Sequence, residues 1–307
     1  MSDVVISARG LGRAYGALWA VRGLDLDVQR GEIFGLVGPD GAGKTTTMRL
    51  LAGILAPSAG EASVAGHSIA TAAEIIKMRI GYMSQRFGLY GDLTVEENLR
   101  FYADLYEVSR AQREPAEERL LGFSNLTPFR SRLARDLSGG MKQKLGLACA
   151  LIHKPEVLFL DEPTNGVDPI SRRDFWRILY GMLKEGVTIF VSTAYLDEAE
   201  RCTRVGLMDG GRLVLCDTPQ RLKGGLAGLL IEWEAAHPRA ARDVLAQRLG
   251  TARASLFGGK LRLLAADENE RARADRALLE AGMVPSPGQR ILPSLEDVFI
   301  HAVARSA

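Results

Sequence analysis

The chain has 307 residues, 47% hydrophobic and 25% charged, which excludes a mini-protein and a disordered or fibrous chain and sets a prior of about two domains. Lys and Arg number 39 against 37 Asp and Glu, and the resulting +2 is too small for wrapping nucleic acid or coating anionic lipid. Cys149, Cys202 and Cys216 are an odd set without metal-ligand spacing, so they read as core residues in a reducing compartment. No apolar run is long enough for a membrane span, and the start lacks the regions of a secretory leader.

From Val4 to about Asp27, short alternating segments (VVISA, WAV, LDLDV) separated by Gly10, Gly12, Gly16 and Gly23 predict antiparallel strands. EIFGLVG, continuously apolar after its Glu, predicts a strand buried on both faces, leading into a glycine-rich turn. TTTMRLLAGIL then has helical spacing and stops before Pro57. Residues 86–135 read as a charged, helical insertion. VLFL at 157–160 and TIFVST at 188–193, with the helical stretch SRRDFWRILYGMLKEG between them, imply a strand-helix-strand crossover and a parallel sheet. After Gly224 and Gly225 the pattern restarts: LLIEW, a helix over about 238–249, ASLF, KLRLL, a helix over about 268–281 and SLEDVFIHAVA. The expected division is therefore 1–225 and a small α+β domain at 226–307.

Gly38-Pro39-Asp40-Gly41-Ala42-Gly43-Lys44-Thr45 satisfies the pattern G-x-x-x-x-G-K-S/T between a strand and a helix, the context in which it cradles phosphates. In such a loop Lys44 neutralises the β and γ oxygens and the Thr45 hydroxyl holds Mg²⁺. Asp161 and Glu162 leave the end of an apolar strand, where open parallel sheets place their ligands. Asp161 would orient the Mg²⁺ shell and Glu162 would polarise the attacking water; by themselves the two acids could equally be a solvated loop. Ser138, before Gly139, Gly140 and Met141, reads as the N-cap of KQKLGLACALIHK, a plain helix start or a second anion site.

GPDGAGKTT, LSGGM and FLDEPTNGVDP, in this order, resemble the ATP-binding cassette family over roughly residues 4–220. The resemblance implies a P-loop α/β ATPase core with antiparallel β and helical subdomains, binding ATP and Mg²⁺ in a head-to-tail dimer. Gly38 to Thr46, including Thr46 itself, would hold ATP of this subunit, and Tyr15 would stack on its adenine. Ser138, Gly139 and Gly140 would contact the γ-phosphate held by the partner. Gln85, in GYMSQR, would reach Mg²⁺ and the water. Tyr15 could instead be a core aromatic and Gln85 a surface residue; Asp168, in NGVDP, resembles the segment that crosses the dimer interface toward the opposite site, and before Pro169 it is also an ordinary helix start.

In VSTAYLDEAE the resemblance leads one to expect a histidine where Ala194 stands, and none of His67, His153, His237 and His301 falls in these motifs. Loss of one preorganised transition-state donor costs on the order of 10²–10³ in rate, so weak hydrolysis is expected at this subunit's own site. Asp40 and Met141 also depart from the family's usual residues. The style of the motifs resembles bacterial drug, lipid or polysaccharide efflux subunits: cytoplasmic, peripheral on the inner face of the membrane, with separate transmembrane permease subunits docked around 86–135. A homodimer and a heterodimer with a second cassette both remain open. The alternatives are an interaction module with little turnover and a soluble, non-transport cassette ATPase.

Overall fold

Alternation over the first thirty positions is realised as two strands, β1 (Val4–Tyr15) and β2 (Leu18–Gln29), paired antiparallel across the two-residue turn at Gly16 and Ala17. They are longer than the segments read from sequence, because glycines there do not end the strands. The pairing instead slips its register between Ala8 and Leu11 and again up to Ala14, and a bulged strand can continue through such steps. The computed structural model describes residues 3–85, 88–249, 254–283 and 286–306. It divides into two units, one ending at Cys216 and the other beginning at Asp217.

The first unit continues with β3 (Ile33–Val37), α1 (Lys44–Leu51), β4 (Ala59–Val64), β5 (His67–Ser68), α2 (Ala73–Arg79) and β6 (Ile80–Met83). Then come α3 (Val95–Leu105), α4 (Arg110–Ser124), α5 (Gly139–Leu151), β7 (Val157–Asp161), α6 (Pro169–Lys184), β8 (Thr188–Thr193), α7 (Leu196–Ala199), β9 (Arg204–Asp209) and β10 (Arg212–Asp217). One sheet has the order β2-β1-β4-β5, the other β10-β9-β3-β8-β7-β6. Within the second, β9, β3, β8, β7 and β6 run parallel, so their C-terminal ends lie along one edge. Every residue of β3, β7 and β8 is buried, the reason these strands read as unbroken apolar runs. The Phe190 ring lies between those of Phe34 (5.2 Å) and Phe159 (5.5 Å), each tilted against it, across three of the parallel strands, and the three share a core with Ile6, Leu24 and Met48.

Helix starts follow local chemistry. Thr94 and Glu97 form a reciprocal capping box on α3. Asp168 accepts from the backbone of Ile170 and Ser171, with Pro169 in the first position of α6. Cys149 and Cys202 are core residues as expected, whereas Cys216 is only half-buried, its sulfur accepting from Arg204 at 3.5 Å.

The second unit contains α8 (Pro219–Gly224), β11 (Leu229–Trp233), α9 (Pro238–Leu249), β12 (Ala254–Phe257), β13 (Lys260–Ala265), α10 (Glu268–Glu280), β14 (Gln289–Arg290) and α11 (Leu295–Ser306). From β11 to β14 the order is βαββαβ and the antiparallel sheet runs β12-β13-β11-β14, a ferredoxin-like arrangement. Ile231, Trp233, Leu245, Leu261, Leu263 and Leu278 form its core. α8, which lies ahead of the boundary read from sequence, packs on α11 of this unit.

Candidate functional site

Four of the parallel strands deliver site residues to the same edge: β3 leads into Gly38–Thr45, β6 into Gln85, β7 ends at Asp161 and β8 at Thr193. In the loop after β3, Gly43 has φ of +104°, and a Cβ there would collide with the Ala20 carbonyl oxygen, so only glycine fits. Lys44 is 4% exposed and curls back over the loop. Its ammonium donates to the carbonyls of Gly38 (2.8 Å) and Pro39 (3.0 Å) and pairs with Glu162 at 3.1 Å. The ammonium is thus fixed beside the loop, where an anion would arrive. Asp40 and Gly41 are exposed and Thr46 half-buried.

Asp161 is buried, and its Oδ1 accepts hydrogen bonds from the hydroxyls of Thr45 (3.0 Å) and Ser192 (2.8 Å). Glu162 follows with φ of +48°, uncommon outside glycine, which turns its carboxylate back over the sheet edge. Its backbone N–H donates to both the carbonyl (3.2 Å) and hydroxyl (3.0 Å) oxygens of Ser192, while its carboxylate meets Lys44 and accepts from Gln85 Nε2 at 2.8 Å. Ser192, hidden in an apolar strand, therefore orients both carboxylates, and nothing in the sequence pattern marked it. Tyr82, on β6, also faces this group; burial, and after it the charge of Asp161, push its hydroxyl up to about 12.

Ala194 is exposed and lines a pocket of about 140 Å³ together with Asp40, Glu162, Thr164, Asn165, Thr193 and Tyr195. No histidine lines it among the described residues. Ser138 caps α5, accepting from Met141 N at 3.3 Å; Ser138 and Gly139 are exposed, and Gly140 is buried against α6. Gly139 shares a groove of about 420 Å³ with Gln85, which thus stands between the carboxylates and the start of α5. Tyr15 is 48% exposed with the Arg13 guanidinium 4.9 Å over its ring, so it is no core aromatic. The structure thus brings Lys44, Thr45, Gln85, Asp161 and Glu162 into one bonded cluster. Tyr15 and Ser138 stand outside it.

A glycine-rich loop between a buried strand and a helix, with its lysine and threonine bonded to carboxylates at the end of the next parallel strand but one, defines a nucleoside triphosphate site of the P-loop class. Residues 21–165 match the family described as ABC transporter. YbhF of Escherichia coli (strain K12), a probable multidrug ABC transporter ATP-binding protein, is 50% identical over 230 residues, 74% of this chain; the chain spans only 40% of that protein's length. The daunorubicin resistance ATP-binding protein DrrA3 of Streptomyces coeruleorubidus is 35% identical over 315 residues, 98% of this chain and 96% of that protein. The structure of cbiO1 from Clostridium perfringens, part of the ABC transporter complex cbiONQ, superposes with a TM-score of 0.67 at 25% identity, covering 81% of this chain and 97% of that one. The chain belongs to the ABC transporter family, as an ATP-binding cassette of its ATPases.

Proposed function

We propose that this chain is the ATP-binding subunit of an ABC exporter, hydrolysing MgATP slowly at a head-to-tail dimer interface to drive efflux through separate transmembrane subunits. The observation that carries the reading is the joined cluster Lys44–Glu162–Gln85 and Thr45–Asp161–Ser192 at one strand edge. Lys44 and the backbone of residues 38–46 bind the phosphates, Glu162 holds and polarises the attacking water, and Gln85 keeps Glu162 aimed. The Thr45 hydroxyl and Asp161 carboxylate, 3.0 Å apart, are the hard oxygen donors that Mg²⁺ takes. Among the described residues no cluster of three or more His, Cys, Asp or Glu side chains offers a cage, which suits an ion completed by phosphate and water. Bound there, Mg²⁺ neutralises charge on the phosphates.

The exposed start of α5 at Ser138 and Gly139 suits a second cassette's nucleotide, in a homodimer or with a different cassette. No described helix is long and apolar enough to cross a membrane; the transmembrane subunits of this reading are separate partners at the inner face. Tyr90, Phe101, Leu105 and Phe123, exposed on and around α3 and α4, suit their docking within 86–135. Export is favoured by the names of two relatives, daunorubicin resistance for DrrA3 and probable multidrug transporter for YbhF. The segment from about 226 would on this reading be regulatory or dimerising, or else a stabilising appendage.

Ala194 offers no side-chain donor, which predicts turnover about 10²–10³ below that of a complete site. Steady-state ATPase assays should show slow wild-type turnover, a marked rise in Ala194→His and loss in Glu162→Gln with ATP binding retained. Fast wild-type turnover that Ala194→His leaves unchanged would overturn the slow-site reading.

A further inference from the structure

Glu198 is a charged residue with no exposed surface, on the short helix α7, and no role in the chemistry above accounts for it. A buried carboxylate is tolerated only where bonds and charge compensate its desolvation. Here Oε1 accepts from the Thr164 hydroxyl at 2.6 Å and Oε2 from the Thr193 hydroxyl at 2.9 Å. Those two threonines lie on different chain segments, one after Glu162 and one before Ala194, and both line the 140 Å³ pocket. Thr193 Oγ1 also accepts from Tyr195 N at 3.0 Å, which fixes the backbone on both sides of Ala194.

The countercharge comes from α6. Arg172 Nε lies 3.5 Å from Glu198 Oε1, and Arg172 Nη1 lies 3.9 Å from Asp197 Oδ2. The guanidinium also covers the Tyr195 ring at 4.5 Å. The preceding residue, Ser171, abuts the start of α5 so closely that a Cβ on Gly140 would sit 2.5 Å from its hydroxyl oxygen. Lys144 and Asp174, at 3.3 Å, continue that seam between α5 and α6. One turn of α6 therefore touches the Ala194 loop with Arg172 and Gly140 with Ser171, the residue before it.

We propose that Glu198 and Arg172 are positioning residues of the ATP site. They tie the loop carrying Ala194 to the turn after Glu162 and, through the first turn of α6, to Gly140; the inference rests on reading this as an ATP site. Where an imidazole would itself anchor the loop to phosphate, this chain holds the loop from behind. The buried Arg172 Nε has no hydrogen-bond partner among the described residues. Its hold on the loop is therefore charge on Glu198 and stacking on Tyr195, and both contacts come from the same turn of α6 that packs on Gly140.

The test uses the full chain carrying Glu198→Gln, Arg172→Met or Arg172→Lys, and reads amide hydrogen exchange together with kcat and KM for ATP. Glu198→Gln keeps the shape and one acceptor oxygen while removing the charge that Arg172 faces. In Glu198→Gln and Arg172→Met, exchange over 193–197 should rise about tenfold with β3 unchanged. In the same variants kcat should fall about tenfold with KM held within about twofold. Arg172→Lys, which keeps the charge without the planar stack, should fall between. Unchanged exchange over 193–197 overturns the proposal whether or not ATP is hydrolysed. Raised exchange with unchanged kcat overturns it, as does a general loosening that includes β3 and worsens KM and kcat together. Failure of the wild-type chain to turn over ATP would instead count against the ATPase reading, leaving the exchange result to judge the clasp.

Discussion

Asp161 accepts two hydroxyl hydrogen bonds on a single oxygen, from Thr45 and Ser192, and Ser192 also takes the backbone N–H of Glu162. Replacing Ser192 by alanine leaves the carboxylate oriented from one side only. The expected result for Ser192→Ala is a rise of about tenfold or more in the Mg²⁺ concentration that half-saturates ATP binding, the usual size of an outer-shell loss. A Mg²⁺ titration followed by calorimetry checks it, and an unchanged midpoint would mean that Thr45 alone suffices. Lys44, Thr45, Asp161 and Glu162 were legible in the sequence because each belongs to a motif only a few residues long. Ser192 and Glu198 were not: one sits inside TIFVST, whose apolar run conceals a hydroxyl, and the other inside LDEAE, which reads as a solvated helix face. Their meaning depends on Thr45, Thr164 and Arg172, which only the folded sheet brings near.

At the scale of elements, α5 carries the Ser138 cap at one end and His153 just beyond the other. The His153 ring stacks on Tyr106 at 3.7 Å, and with the Ile80 carbonyl at 3.0 Å it ties α3, α5 and β6 together. Burial pulls its pKa from 6.5 down to about 4, the Ile80 contact opposing the shift only in part. Between those pH values the unfolded chain binds a proton that the folded chain refuses. The contribution is therefore fully present above about pH 6.5 and fades as the pH falls toward 4, by on the order of 3 kcal/mol for this group. Urea unfolding at about pH 7 and about pH 5 should show a smaller pH-dependent loss in His153→Phe than in wild type; equal losses would sink the assignment. Strands β3, β7 and β8 were readable because burial on both faces leaves unbroken apolar runs, α1 and α6 because 3.6-residue spacing marks one buried face, and α5 because an apolar stretch follows its Ser138 cap. β4, with the segment AGEASV and three exposed residues in a row, the four-residue β6 and the seven-residue α2 left none. The sheet order β10-β9-β3-β8-β7-β6 was equally hidden, since it arises from pairings far apart in the chain.

Across the whole molecule, two units with separate cores imply that unfolding need not be a single event. The second unit offers a handle of its own in Arg262, buried between Glu232 (2.9 Å) and Asp297 (3.1 Å), with its guanidinium 3.7 Å over Phe257. Asp297 is itself buried on α11, so Arg262→Ala strands its charge and should cost the second unit about 3–5 kcal/mol. On the proposed site ATP would act on the other unit, because residues 38–46, Asp161 and Glu162 all precede Cys216. At about 100 times its Kd it should stabilise that unit by about 2.7 kcal/mol. Scanning calorimetry of the full chain then has a defined expectation: MgATP raises one transition, Arg262→Ala lowers a different one, and the ATP-induced shift is the same in both proteins. If both perturbations move one shared transition, the two cores melt as a unit, and the energetic separation implied by their division between Cys216 and Asp217 is lost.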